Sequence, residues 1–195
     1  MKTFCVLHDH IRDMKDLVFK YKYEHCIYLK EKAGVYYFDR NTIVKGEQRE
    51  GRQYCTYRGP YAECIFHSHP EASRSYPSRE DILKVMKRDA IKCSIIATRW
   101  GIYTIKLTDY SLYEYKTYIN IGIQILEHKL KEIVDKIGKL VEDATGYSKV
   151  KKVYPKDLND NDIYKINKYL MDLEDLTRLQ FKFYPWKFFT ENNIF

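Results

Sequence analysis

The sequence predicts an α/β protein in which a mixed β-sheet is flanked by helices and followed by a C-terminal helical extension. Two observations support this fold class. Across residues 1–112, short apolar runs typical of strands alternate with segments of helical periodicity. From about Lys116 onward, apolar residues recur at steps of three and four, which is typical of long amphipathic helices. We therefore predict two units, residues 1–112 around one sheet and residues 113–195 as the helical extension.

The first unit begins with a helix, because apolar residues lie at helical spacing over residues 9–21 and Asp9 is available as an N-cap. Two apolar runs, 25–29 and 34–38, then predict a β-hairpin with its turn at 30–33. The polar, glycine-punctuated stretch that follows predicts short strands joined by exposed loops. The remaining elements of this unit are a strand at 62–66, a helix that opens at 77–81, and strands at 91–98 and 101–107.

The helical extension contains two predicted helices separated by a polar linker. A heptad-like apolar seam predicts a long first helix that ends near Gly146. The linker covers residues 148–161, a second helix follows, and an aromatic-rich tail occupies residues 181–189. Two interpretations remain open at this point: the extension packs on the sheet of its own chain, or residues 116–180 form a homodimer or partner interface.

Composition restricts the class of protein. The 195-residue chain is 45% hydrophobic and 31% charged, as expected for a globular domain with a buried core. Uncharged apolar runs are all far shorter than the roughly 20 residues that span a bilayer. Charged residues also interrupt the N-terminus before a signal-peptide core forms. Five scattered cysteines without a C-x-x-C pair predict reduced thiols, so we expect a cytoplasmic protein.

The net charge of +7 falls mainly on residues 1–112, which carry 20 Lys and Arg against 14 Asp and Glu. A basic surface of this kind attracts nucleic acid or acidic proteins. No run of Lys and Arg exceeds two residues, however, and this favours an ordinary solvated surface over a nucleic-acid interface.

The strongest functional signal is the pair of histidines in His67-Ser68-His69, at the end of a predicted strand. Residues two apart on a strand point to the same face, so the two imidazoles can bind one metal ion. Asp81 lies twelve residues after His69, in the first turn of a predicted helix. A carboxylate there would complete a His2Asp zinc site and leave one position for water. The alternative is structural, because Ser78 and Asp81 have the spacing of a helix capping box.

These residues resemble the motif of the JAMM (MPN-plus) zinc metalloproteases. That motif reads H-x-H, a loop and then S-x-x-D, with a glutamate on an early strand. The chain supplies H-S-H-P at 67–70 and P-S-R-E-D at 77–81. Glu24 begins the segment E-H-C-I-Y-L, which lies where the family has its glutamate. The resemblance covers roughly residues 9–110.

The chain departs from the family pattern at two places. Eight residues, 70–77, separate the second histidine from the serine, where the family usually has seven. Ile27 stands where the family usually has glycine.

The resemblance implies a JAB/MPN-like fold with a cytidine-deaminase-like core.

The resemblance also implies the roles of the site residues. His67, His69 and Asp81 would hold zinc, and Glu24 would take a proton from the zinc-bound water and later deliver one to the leaving amine. Ser78 would donate a hydrogen bond to the oxyanion. The alternative for Glu24 is a surface carboxylate at the start of a strand. The glutamates that compete with it for the role of base are Glu31, Glu47, Glu50 and Glu63.

The activity implied by the resemblance is hydrolysis of peptide or isopeptide bonds at the C-terminal tail of ubiquitin or ubiquitin-like proteins. The tail would lie beside a sheet edge near segment 46–60, whose Arg49, Arg52 and Arg58 could contact carboxylates. The alternative for this segment is an ordinary basic loop. Two other functions stay open: a non-catalytic scaffold of the same fold that binds through residues 116–180, and a RadC-like DNA-associated protein. The sequence has no helix-hairpin-helix signature that would favour the last.

Overall fold

The computed structural model describes residues 5–6, 8–32, 35–49, 52–57, 62–70, 75–87, 91–146 and 157–191. The strands are β1 (Cys5–Val6), β2 (His25–Lys32), β3 (Val35–Tyr37), β4 (Val44–Lys45), β5 (Glu47–Arg49), β6 (Arg52–Tyr54), β7 (Cys64–Ser68), β8 (Cys93–Ala97), β9 (Gly101–Lys106) and β10 (Gln180–Pro185). The helices are α1 (His8–Phe19), α2 (Arg79–Lys87), α3 (Ser111–Ile121), α4 (Ile123–Thr145), α5 (Asp160–Thr177) and α6 (Trp186–Glu191), and a 3₁₀-helix spans Arg40–Thr42.

Eight of these strands form one mixed sheet. Its order is β1-β3-β2-β7-β8-β9-β10, and β4 pairs with the start of β2. The pairs β7–β8 and β1–β3 are parallel, whereas the other neighbouring strands are antiparallel. β5 and β6 form a separate two-stranded hairpin. The predicted class, an α/β fold with a mixed sheet flanked by helices, is therefore confirmed.

Both faces of the sheet are covered by helices, because its central strands carry apolar side chains on both sides. On β7, Ile65 packs into a cluster with α2, α4 and α5, whereas its neighbour Phe66 packs into a cluster with α1 and α6. Ile96 and Ile95 of β8 alternate in the same way. A period of two residues is what places successive side chains on opposite faces of a strand. The core therefore consists of two apolar layers, one on each side of the sheet.

The C-terminal extension is not wholly helical, so this part of the predicted architecture is wrong. The aromatic tail forms β10, which pairs with β9 along its full length and joins the sheet. Gly101 permits this close approach, since a Cβ there would lie 2.2 Å from the carbonyl oxygen of Tyr184. Buried residues of α4 and α5 pack against the same sheet, as the first of the two interpretations requires. The boundary at residue 112 and the homodimer interface stay predictions.

Two predicted elements differ in their bounds. The long helix of the extension is divided, because Gly122 separates α3 from α4 with a φ of 110°, a value that other residues rarely adopt. The predicted hairpin is present, but β2 continues to Lys32 through most of the expected turn at 30–33. Among the residues described here, no helix combines the length and apolarity that crossing a membrane requires.

Four of the five cysteines form disulfide bonds, so the prediction of reduced thiols is wrong for them. Cys64 and Cys93 lie opposite each other on β7 and β8, with their Cα atoms 4.6 Å apart. Cys26 of β2 is bonded to Cys55, with Cα atoms 6.0 Å apart. Both pairs join residues 29 positions apart, which only strand pairing and chain reversal bring together. The cytoplasmic location stays a prediction.

Candidate metal centre

The two histidines of the H-x-H motif lie at the C-terminal end of β7. His67 is within the strand and His69 follows it, where the amide of His69 donates to the carbonyl oxygen of Ala97 at 2.7 Å and extends the pairing with β8. The two Nε2 atoms are 3.1 Å apart, and both side chains are buried. The prediction that the two imidazoles share one face of the sheet is therefore confirmed.

Asp81, in the first turn of α2, reaches both histidines. Its Oδ1 lies 3.1 Å from Nε2 of His67, and its Oδ2 lies 3.6 Å from Nε2 of His69. Ligand atoms about 2.0–2.2 Å from a tetrahedral zinc ion are separated from one another by roughly 3.3 Å. The 3.1 Å between the two Nε2 atoms and the 3.1 Å between Oδ1 of Asp81 and Nε2 of His67 are close to this spacing. The buried group of two imidazoles and one carboxylate is thus suitable for a metal ion.

The charge state of Asp81 suits this role. Burial raises the pKa of its carboxyl group, but the imidazoles of His67 and His69 outweigh burial and hold the pKa well below its ordinary value. Asp81 is therefore a carboxylate at neutral pH. This is the form in which the side chain binds a metal ion.

Ser78 and Asp81 also form the predicted capping box at the start of α2. The amide and the hydroxyl of Ser78 donate to Oδ2 of Asp81 at 2.9 and 2.7 Å, and the amide of Asp81 donates to Oγ of Ser78 at 3.2 Å. The cap does not compete with a metal, because it uses Oδ2 and leaves Oδ1 facing His67. It holds the carboxylate in a fixed direction.

Glu24 lies beside the histidines although it is 43 residues from His67 in sequence. It directly precedes β2, its side chain is 8% exposed, and its Oε1 lies 3.9 Å from Nε2 of His69. Antiparallel pairing of β2 with β7 explains this proximity, since Cys26 lies opposite His67. Glu24 is therefore not a surface carboxylate. The structure brings all five predicted site residues together.

The other glutamates considered for the role of base are exposed or lie outside the described residues. Glu63 is exposed and forms an ion pair with Lys92. Glu31 on β2 and Glu47 on β5 are also exposed. Glu50 lies outside the described part of the chain. Burial therefore separates Glu24 from the competitors that the structure describes.

Tyr57 contacts the centre and was missed at the level of sequence. Its hydroxyl lies 3.5 Å from Nδ1 of His67, while Nε2 of the same ring faces Asp81. A polar partner on one ring nitrogen fixes the orientation of an imidazole and leaves the other nitrogen as the ligand atom. The disulfide between Cys26 and Cys55 ties the segment that carries Tyr57 to β2. No motif spacing indicated this contact.

Comparison with known proteins gives no family assignment: no family model, curated protein or solved structure matches the chain. The chemistry of the site therefore rests on its own residues. A metal held by two imidazoles and one carboxylate keeps a coordination position open, and a carboxylate beside it can exchange protons with water. This combination is suited to hydrolysis.

Proposed function

We propose that this protein is a zinc-dependent peptidase or isopeptidase of the JAMM type, with a JAB/MPN-like fold. The observation that carries the proposal is the convergence of a buried glutamate on a buried His-His-Asp group, with Glu24 Oε1 3.9 Å from His69 Nε2. Burying four ionisable side chains at one place lowers the stability of a fold unless they are paired or hold a metal. A metal-binding, catalytic function would account for the burial of these four side chains together.

Zinc suits the donor set, because imidazole nitrogen and carboxylate oxygen at this spacing are typical ligands of tetrahedral zinc. His67, His69 and Asp81 would hold the ion and leave one position for water or substrate. When bound, zinc supplies a Lewis acid that polarises a carbonyl group and lowers the pKa of coordinated water to about 7.

Glu24 would serve first as a base and then as an acid. Its carboxylate takes a proton from the attacking water as the water oxygen bonds to the carbonyl carbon of the scissile amide. The proton then passes to the leaving nitrogen while the C–N bond breaks. One water is consumed, and the products are a carboxylic acid and an amine. Such proton transfers contribute about 10²–10⁴-fold to a rate.

Ser78 would donate a hydrogen bond to the oxyanion that forms during this attack. In the free protein its hydroxyl donates to Oδ2 of Asp81 at 2.7 Å. The proposed role therefore requires the hydroxyl to exchange this bond for one to the oxyanion. Until then, the same group serves the cap of α2.

The proposed substrate is a conjugate of ubiquitin or a ubiquitin-like protein, bound by its extended C-terminal tail. Segment 46–60 of this chain, which we propose as the binding surface for that tail, begins beside the site. The amide of Gly46 donates to the carbonyl oxygen of Glu24 at 2.6 Å. Further along, Arg49 and Arg52 are register partners in the hairpin of β5 and β6, and Arg58 lies outside the described residues. A tail that adds as a strand here would end near the metal centre.

The first test combines metal content with cleavage. We expect about one zinc per chain and cleavage of ubiquitin-like fusions or lysine-linked conjugates. Glu24→Gln should retain the zinc and lose about 10²–10⁴-fold in turnover, because the amide cannot accept the proton. Glu63→Gln, at an exposed ion-paired glutamate, is the matched control and should leave turnover unchanged.

Other outcomes separate the remaining functions. Undiminished turnover in Glu24→Gln would remove Glu24 from the mechanism. One zinc per chain, with conjugates bound but never cleaved, would favour the scaffold. No zinc after reconstitution would contradict the metal site. Steeply salt-dependent DNA binding would favour the RadC-like alternative.

A further inference from the structure

A cavity of about 310 Å³ lies where β8 turns into β9. It is partly open to solvent and is bounded by the end of α1, the turn between the two strands, the start of α6 and the residues that precede α5. None of the metal-centre residues lines it. The proposed peptidase activity makes no use of this cavity.

Cationic side chains outnumber acidic ones in its lining. Lys187 is already paired with a carboxylate of α5, and Asp157 is exposed. Within the described residues, Lys15 and Arg99 have no carboxylate partner. Both lie over one aromatic ring, with Lys15 Nζ 6.0 Å and Arg99 Cζ 5.8 Å from the centroid of Phe19. Two cations beside the same ring, neither of them ion-paired within the described residues, create a positive potential that attracts an anion.

Phe19 and Trp186 contribute aromatic rings to the lining. Phe19 is 47% exposed, so part of its ring is free to contact a ligand. Trp186 is held at two points: its indole N–H donates to the carbonyl oxygen of Thr98 at 2.9 Å, and its amide donates to that of Trp100 at 3.2 Å. Because the indole N–H is already bonded, the ring of Trp186 offers the cavity an aromatic surface.

We propose that this cavity binds a small anionic ligand with a planar ring, of the chemistry of a nucleoside monophosphate. The anionic group contacts Lys15 and Arg99, and the planar ring lies against the parts of Phe19 and Trp186 that these two cations leave open. The volume of about 310 Å³ is at the lower end for small-molecule sites, which fits a mononucleotide rather than a polymer. A guanidinium presents a planar fork to phosphate oxygens, and aromatic rings bind bases by stacking.

Arg99 also connects the cavity to the metal centre. Its Nε donates to the carbonyl oxygen of Pro70 at 3.2 Å, and Pro70 directly follows His69. This bond fixes the side chain and leaves the two terminal nitrogens for a ligand. Lys15 has no such link to the centre. A variant of Lys15 therefore tests the cavity without altering a contact of the metal site.

Tryptophan fluorescence gives a direct test, because both tryptophans of the chain, Trp100 and Trp186, line the cavity. The full chain is titrated with adenosine monophosphate, adenosine and inorganic phosphate. We expect saturable quenching by the monophosphate, with an affinity about tenfold or more above that of adenosine or phosphate alone. The affinity should also fall as the salt concentration rises.

Lys15→Gln should weaken binding of the monophosphate about tenfold, since it removes one charged contact. Lys136→Gln is the matched control, because it removes one positive charge from an exposed pair on α4 outside the cavity. Its affinity should match that of the parent chain. Equal binding of adenosine and the monophosphate, or no saturation at about millimolar concentration, would overturn the proposal. An equal loss of affinity in both variants would also overturn it, because the effect would then be one of net charge.

Discussion

Two groups of buried polar side chains lie on the same face of the sheet, and they are built differently. At the end of β7, the ring nitrogens and carboxylate oxygens of His67, His69 and Asp81 approach one another within 3.1–3.6 Å. Further along this face, the hydroxyl groups of Ser94 and Tyr103 are buried and have no hydrogen-bond partner within the described residues. Both groups face the layer formed with α2, α4 and α5.

Mutual contacts between buried polar groups indicate a candidate functional site, whereas buried hydroxyls without a partner do not. A buried polar group without a partner costs about 1–3 kcal/mol. The metal centre offsets this cost through mutual contacts, the cap on Asp81 and the partner on His67. Ser94 and Tyr103 have no such compensation. Removal of a polar group should therefore damage the candidate metal centre, whereas removal of the Tyr103 hydroxyl should stabilise the fold.

The largest effect is expected from Asp81→Ala. This change removes a proposed zinc ligand and half of the capping box, so zinc should fall from about one per chain to near none. Metal analysis of the purified variant measures the loss. Ser78→Ala is the matched control: it weakens the cap by about 1 kcal/mol, leaves the carboxylate in place and should retain zinc. An equal loss of zinc from Ser78→Ala would show that the cap, rather than ligation by Asp81, decides metal content.

A smaller effect should come from Gly138 of α4, which packs closely against the ring of Tyr76. A Cβ at Gly138 would lie 2.5 Å from Cζ and Oη of Tyr76, two residues before Ser78. In Gly138→Ala the ring must move, while the gain in helix propensity of about 1 kcal/mol offsets the cost in stability. We expect zinc loss to a chelator to be about tenfold faster.

The control for this helix is Lys139→Ala, an exposed position next to Gly138. It introduces the same residue without touching Tyr76, and it should leave the rate of zinc loss unchanged. A rate for Gly138→Ala equal to that of the parent would show that α4 does not support the centre.

The smallest effect, and one of opposite sign, is expected from Tyr103→Phe. It removes a buried hydroxyl without a partner in the described structure, so the free energy of unfolding should rise by about 1 kcal/mol. Zinc content should not change. Chemical denaturation measures the gain, and a loss of stability instead would show that the hydroxyl is satisfied in solution.

Tyr103 also determines the direction in which the free energy of unfolding changes at alkaline pH. Burial raises the pKa of Tyr103 above its ordinary value, and Tyr76 adds to this. The folded state therefore keeps the proton to higher pH than the unfolded state does. The ionisation of Tyr103 therefore leaves the free energy of unfolding unchanged below about pH 10 and lowers it as the pH rises further. Denaturation across this range should show a steeper alkaline loss for the parent than for Tyr103→Phe.

Local patterns predicted the parts of the site that are local in the chain. The alternation of a strand placed His67 and His69 on one face, and the spacing of Ser78 and Asp81 gave the capping box. Glu24 was assigned only through the family resemblance, because no local rule relates residues 43 positions apart. Strand pairing of β2 with β7 is what brings it to the histidines.

Apart from the helix break at Gly122 and the length of β2, the errors of prediction concern long-range pairing. The tail at 181–189 was assigned to a helical extension, yet β10 pairs with β9, whose residues lie far earlier in the chain. The cysteines were expected to be reduced, because their spacing gives no sign that Cys64 and Cys93 face each other across two strands. Tyr57 was missed for the same reason.

The sequence by itself determined the α/β class, the periodic helices and the short motifs that present two imidazoles and a carboxylate. These follow from interactions over a few residues, where backbone geometry fixes which side chains share a face. Only the tertiary structure decided that Glu24 and Tyr57 reach the histidines, that β10 joins the sheet, and that Lys15 and Arg99 each lie near the ring of Phe19. Those contacts join distant segments, and their geometry depends on the packing of the whole sheet.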